Sequence, residues 1–211
     1  MKKFFKNLLC FSLLMLAQFG YAASDDISDS SSILIIIDMQ EKFSASQCEE
    51  AQNCIAQEIK NAISQGIPIL FVNMKMKSYE TKKGKNIKIL RDLVSGYDKV
   101  YTVQKFFSSG SRAILTFLKS KNLEGIKELR VCGINTGACV EATVRNLLES
   151  GDFEILNLIE AGCASECFIR DEECDCQGGY CRKSHERYLE KMIKDFVIHK
   201  NFHVVYETGS S

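Results

Sequence analysis

The chain has 211 residues, 45% of them hydrophobic, with 27 basic against 27 acidic side chains, which suits one compact domain with room for a buried sheet. That balance, with no basic stripe interleaved with aromatics, excludes a nucleic-acid-binding surface. The lysine-rich piece at 75–88 reads as a solvated loop.

In chain order, Lys2, Lys3 and Lys6 precede an apolar run at 8–19, and the small residues Ala22 and Ala23 follow. Charged, apolar, small is the order of a secretory signal. The run is too short for a comfortable membrane span, so cleavage near residue 22 is expected, with no stable membrane insertion afterwards and a product that is periplasmic or secreted. Residues 1–22 hold three lysines and no acid, which leaves 24 basic against 27 acidic. A Ser- and Asp-rich stretch at 23–31 reads as a flexible linker, and a domain at 32–211 follows.

That domain begins with SILIII at 32–37, a continuous β-branched run that predicts a central strand covered on both faces. Further strands are predicted at 67–72, 99–103, 129–132, 154–159 and 203–206. Helical patterns lie between them at 50–64, 111–120, 138–149 and 184–198, with a weaker one at 87–94. Strand and helix alternate throughout, so the predicted fold is a three-layer αβα domain around a parallel sheet of about six strands. The single proline, Pro68, opens a strand, where a missing N–H is tolerated.

Nine cysteines lie beyond residue 22, and an exported protein turns such numbers into disulfides. Cys132 and Cys163 sit in or after apolar runs and read as small buried hydrophobes. Cys48 and Cys54 flank a short polar loop suited to a bridge. Cys167, Cys174, Cys176 and Cys181 crowd an acidic, Gly-containing insertion at 166–183. Two bridges fit there; a zinc site is the rival, although the spacing lacks paired C-x2-C knuckles. The insertion is either a lid over the substrate pocket or a disulfide-braced surface excursion. Cys139 is left without a partner.

In open parallel sheets ligands bind beyond the carboxyl ends of the strands. Asp38 follows the first strand, Lys105 the third and Cys139 the fourth, at the opening of a helix. Singly, each has a bland reading as turn residue, surface charge or core thiol.

Together they fall into a pattern. The segment 131–143, VCGINTGACVEAT, resembles the nucleophile turn of the isochorismatase-like hydrolase superfamily, which includes nicotinamidases and carbamoylsarcosine-type amidohydrolases, through Gly133, Thr136, Cys139, Val140 and Thr143. IIIDMQ at 35–40 is similar to the family's first-strand signature. EAGCAS at 160–165 resembles a later family stretch, with Glu160 in place of Asp, and His185 to Met192 matches a His-led final helix. The resemblance spans about residues 32 to 200. It implies Cys139 as nucleophile, Asp38 as proton acceptor and donor, and Lys105 as the neighbouring ammonium. It also implies an oxyanion hole from the backbone N–H groups of Asn135 and Cys139, and a cis peptide bond at Ile134–Asn135. A helix amino end and a nearby ammonium are expected to lower the thiol's pKa.

The match departs in places. Nicotinamidase-like members carry metal-binding histidines after the second strand, where this chain has Asn73, Met74 and Lys75. No catalytic metal and no other cofactor are therefore expected, and His185, His199 and His203 read as surface or core groups. Phe106, Phe107 and Thr136 are candidates for the substrate-pocket wall. Gly137 and Ala138 stand where larger side chains are common, which predicts an open entrance. The function implied is cleavage of a C–N bond in a small amide through a Cys139 thioester, in a protein whose family often forms homo-oligomers. Two alternatives are a vinyl-ether hydrolase that does not need the cysteine, and a non-catalytic secreted binding or redox protein on the same fold.

Overall fold

A computed structural model describes residues 30–75, 84–166 and 180–206. The signal and most of the linker lie outside them, as do Cys167, Cys174 and Cys176 of the insertion.

Six strands, β1 (Ser32–Ile37), β2 (Ile69–Met74), β3 (Val100–Lys105), β4 (Glu128–Ile134), β5 (Ile155–Ala164) and β6 (Phe202–Val205), form one sheet in the order β3-β2-β1-β4-β5-β6. Every neighbouring pair is parallel. The helices are α1 (Glu49–Ser64), α2 (Lys88–Leu93), α3 (Ser111–Ser120), α4 (Glu141–Ser150) and α5 (Arg182–Phe196). Right-handed crossovers set α1 and α2 on one face of the sheet and α3, α4 and α5 on the other. The contacts of α1 with α2, of α3 with α4, and of α5 with the turn before α4 follow that division. This is the expected three-layer architecture. Among the described residues, no helix is long and apolar enough to cross a membrane.

The β-branched run at β1 ends up in the middle because only there are both strand faces covered: Ile33, Ile35, Ile36 and Ile37 are fully buried. The Ser31 carbonyl ties the start of β1 to that of β4, accepting from Lys127 and Glu128 N–H at 2.8 and 2.9 Å. The end of the lysine-rich segment is not a solvated loop. Ile87 N–H donates to the Met39 carbonyl, Glu41 N–H to that of Lys85, and Gly84, Asn86 and Ile87 are buried.

The fifth strand runs well beyond what its apolar core predicts. β5 continues through Glu160 to Ala164 because its ladder with β4 is irregular, passing from Val131↔Leu158 to Gly133↔Cys163. The extra residues make room for a half-buried Glu inside a strand. The irregularity also brings backbones close, since a Cβ on Gly162 would lie 2.9 Å from Cys132 Cβ.

The buried thiols behave as expected at Cys132 and Cys163, which are 0% and 3% exposed. Cys48 does not. It precedes α1 as a buried thiol rather than one half of a bridge to Cys54. Six residues along a helix rise about 9 Å, beyond the Cα separation a disulfide spans.

Candidate active site

Strand order reverses between β1 and β4, and the crevice of an open parallel sheet lies at that reversal. Glycine lets the two strand ends meet. Gly133 has φ +123°, and a Cβ there would sit 2.2 Å from the Ile37 carbonyl oxygen, so no larger residue fits without parting β4 from β1. The next peptide bond, Ile134–Asn135, is cis, as the family resemblance implies.

After β4 the chain does not enter an α-helix directly. Thr136–Val140 forms a π-helical turn in which Val140 N–H donates to the Asn135 carbonyl at 3.1 Å, a local widening that often marks functional positions. Cys139 lies in this turn, half-buried, two residues ahead of α4. Thr143 fixes it: its hydroxyl donates to the Cys139 carbonyl at 2.7 Å and accepts from Gly110 N–H at 2.8 Å. One side chain thus ties the nucleophile turn to the loop leaving β3.

Asp38 caps β1 with φ +52°, the left-handed region, which turns its carboxylate back over the strand ends. Met74 N–H donates to Oδ1 at 2.8 Å. Lys105 Nζ lies 2.8 Å from Oδ2, and each side chain is only 2% exposed. Two of the ammonium's three hydrogens go to the carbonyls of Phe107 and Ser108, at 3.1 and 3.0 Å, and the third is left for the Asp38 carboxylate. The Cys139 thiol lies within hydrogen-bonding reach of both groups. Asp38, Lys105 and Cys139, drawn from three strand ends, therefore converge on one point.

Electrostatics here contradict the expected thiolate. The Cys139 thiol is pushed up to about 11, first by burial and then by the Asp38 charge, with Lys105 opposing both. The resting sulfur is protonated. Burial likewise raises the Asp38 carboxyl above its ordinary range, against the pull of Lys105. The helix-end argument fails because Cys139 sits within the π turn beside a carboxylate, so desolvation and like charge outweigh one ammonium.

The remaining candidates scatter. Thr136 is fully buried, and its hydroxyl meets His185 Nδ1 at 2.9 Å, so it faces the last helix rather than a pocket. Gly137 opens no entrance either: a Cβ there would lie 2.1 Å from the Tyr188 ring, which fills the space that a larger residue would take. Phe106 and Phe107 are 66% and 81% exposed. With Lys105, Arg112 and Phe117 they line a cavity of about 520 Å³ at the β3 edge that Asp38 and Cys139 do not border.

Asn135 binds the turn through its carbonyl and accepts from Glu166 N–H at 2.7 Å through its side chain. Sequence reading assigned no role to Asn73, whose buried Oδ1 has no hydrogen-bond partner among the described residues. It also took His185 for filler. Among the described residues no three His, Cys, Asp or Glu side chains group as a metal site.

The isochorismatase domain family model matches residues 32–165. Among solved structures, an isochorismatase from Pseudomonas putida KT2440 superposes with a TM-score of 0.63 at 19% identity, covering 83% of this chain and 88% of that one. A nicotinamidase from Bacillus subtilis gives 0.63 at 17%, covering 83% and 99%. A ribonuclease from Caenorhabditis elegans gives 0.58 at 18%, covering 77% and 72%. At such identities the likeness is one of fold. No curated protein matches the sequence.

Proposed function

This chain belongs to the isochorismatase family, and on that premise we propose that it is a hydrolase opening a C–N bond of a small amide through a thioester on Cys139. The observation that carries the reading is the buried Asp38–Lys105 pair, 2.8 Å apart, within reach of the half-buried Cys139 thiol at the sheet's reversal point.

With the thiol held near 11, a standing thiolate is not the attacking species at neutral pH. Asp38 takes the S–H proton as sulfur bonds to the substrate carbonyl carbon, and the Lys105 charge stabilises the anion as it forms. Electrons pass to the carbonyl oxygen, which the N–H groups of Asn135 and Cys139 receive. Collapse breaks the C–N bond, and the proton on Asp38 leaves with the amine. Water then gives a proton to Asp38, adds to the thioester and expels the sulfur, which recovers that proton. A raised carboxyl pKa suits this role, because the group must both accept and return a proton near neutrality.

Export through the signal at residues 1–22 belongs to the same proposal, and the mature N-terminus read by mass spectrometry tests it. For the chemistry, ammonia release is screened over small amides with wild type and Cys139→Ala. Turnover lost in C139A, with an acyl adduct trapped on Cys139 in wild type, is the expected result. A fully active C139A rejects it and leaves a cysteine-independent reaction.

A further inference from the structure

Beyond the three converging groups, a buried polar chain runs from β5 to the nucleophile turn. Glu160 Oε1 lies 3.5 Å from His185 Nε2, and His185 Nδ1 lies 2.9 Å from the Thr136 hydroxyl. Thr136 opens the π turn that carries Cys139. His185 is 5% exposed and Thr136 is fully buried. Such groups are retained in a core only when each meets a partner, because an orphan costs about 1–3 kcal/mol. The extended β5 is what places a carboxylate there.

The order of donors along this chain is forced by its far end. A carboxylate only accepts, so His185 presents its proton at Nε2 and keeps Nδ1 as an acceptor. Thr136 must then donate, and its hydroxyl is fixed in one direction. The imidazole is neutral in this arrangement, in agreement with the lowering of its pKa by burial. Two other ties hold the same turn, the Thr143 hydroxyl on the Cys139 carbonyl and the Tyr188 ring on Gly137. Of the three, only the His185 tie is a buried side-chain pair between separate elements, since Thr143 lies one turn beyond Cys139. Tyr188 shares α5 with His185, three residues on, so the final helix grips the turn at two positions one helical turn apart.

We propose that His185, oriented by Glu160, is a positioning residue that holds the Thr136–Val140 turn through the Thr136 hydroxyl and so keeps the Cys139 thiol against Asp38. It never touches substrate. This rests on the hydrolase reading for its effect on turnover, but its effect on the thiol stands apart from any substrate.

Released from His185, the turn lets Cys139 move away from the carboxylate, whose charge raises the thiol's pKa. Turnover and alkylation should therefore change in opposite directions. His185→Leu removes both polar links. His185→Asn retains an acceptor near the Nδ1 position and loses only the link to Glu160. Phe202→Leu, in β6 at the far sheet edge, serves as a control for lost stability, its melting point measured beside that of His185→Leu. In H185L, kcat on an amide that wild type turns over should fall about tenfold or more, with KM within about twofold. Iodoacetamide should label Cys139 at pH 8 about threefold faster or more, as resolved by peptide mass spectrometry. H185N should recover most of both changes, Thr136→Val should reproduce H185L, and the double variant should add nothing further. F202L should leave both readouts at wild-type values.

The proposal is overturned if H185L labels at the wild-type rate, if H185N is as impaired as H185L, or if F202L matches H185L in both readouts. Should no amide be turned over, or should C139A stay active, the hydrolase reading fails. The labelling rates of H185L, H185N and T136V still decide the positioning role.

Discussion

Replacing Lys105 by Met keeps most of the stem volume and removes the charge. At 2.8 Å from Asp38 Oδ2, and with an effective dielectric of about 20, that charge is worth roughly 6 kcal/mol of attraction. Water entering the space will screen most of what remains. If a third of the lost attraction is felt, about 2 kcal/mol, Asp38 is biased toward its protonated form about thirtyfold.

Burial already raises this carboxyl and Lys105 opposes the rise, so K105M pushes it further up. The acid limb of kcat/KM, which needs ionised Asp38, should move to higher pH by that same factor of about thirty in proton concentration, with activity on the acid side of neutrality reduced and regained on the alkaline side. Stability follows the same linkage. A carboxyl held above its unfolded value binds its proton more tightly in the folded chain, so folding is disfavoured as pH rises from that unfolded value through the folded one. The deficit of K105M against wild type should be least in acid and grow with pH. Thermal melts from pH 4 to 8 and a pH–rate profile measure both. An unmoved acid limb, or a deficit constant with pH, would refute the assignment of Lys105 as the charge that tunes Asp38.

Asp38→Asn should separate two properties of the site: turnover falls about a thousandfold with the loss of the general base, while Cys139 alkylation at pH 8 speeds up, because the Asp38 charge helps to hold the thiol near 11. Slower alkylation in D38N would contradict that electrostatic ordering. Gly133→Ala drives a Cβ to within 2.2 Å of the Ile37 carbonyl and should cost more than about 4 kcal/mol. That loss is seen as a melting point lower by about 8 °C or more; a change under about 2 °C would mean that β4 does not press on β1 as described.

Much of the fold was legible because its causes are local. The isoleucine run at β1 announces two-sided burial, alternation of strands and helices announces a parallel sheet, and the family resemblance at 131–143 singles out Cys139 among the nine cysteines beyond residue 22. Where reading failed, distant chain segments decided. Gly137 looks like an opening until Tyr188, 51 residues on, is seated against it. Thr136 looks like a pocket wall until His185 claims its hydroxyl. Cys48 and Cys54 are neighbours in sequence, but a helix holds them apart.

The sequence by itself determined which groups stand at the strand ends, Asp38, Lys105 and Cys139, because periodicity marks where strands stop and residue type fixes what each group can accept or donate. Only the tertiary structure decided their protonation. Whether Cys139 rests as thiol or thiolate depends on how much water the packing removes and how near Asp38 and Lys105 come to it. Those are distances set by the packing of β1, β3 and β4 against their helices, and no single stretch of chain encodes them.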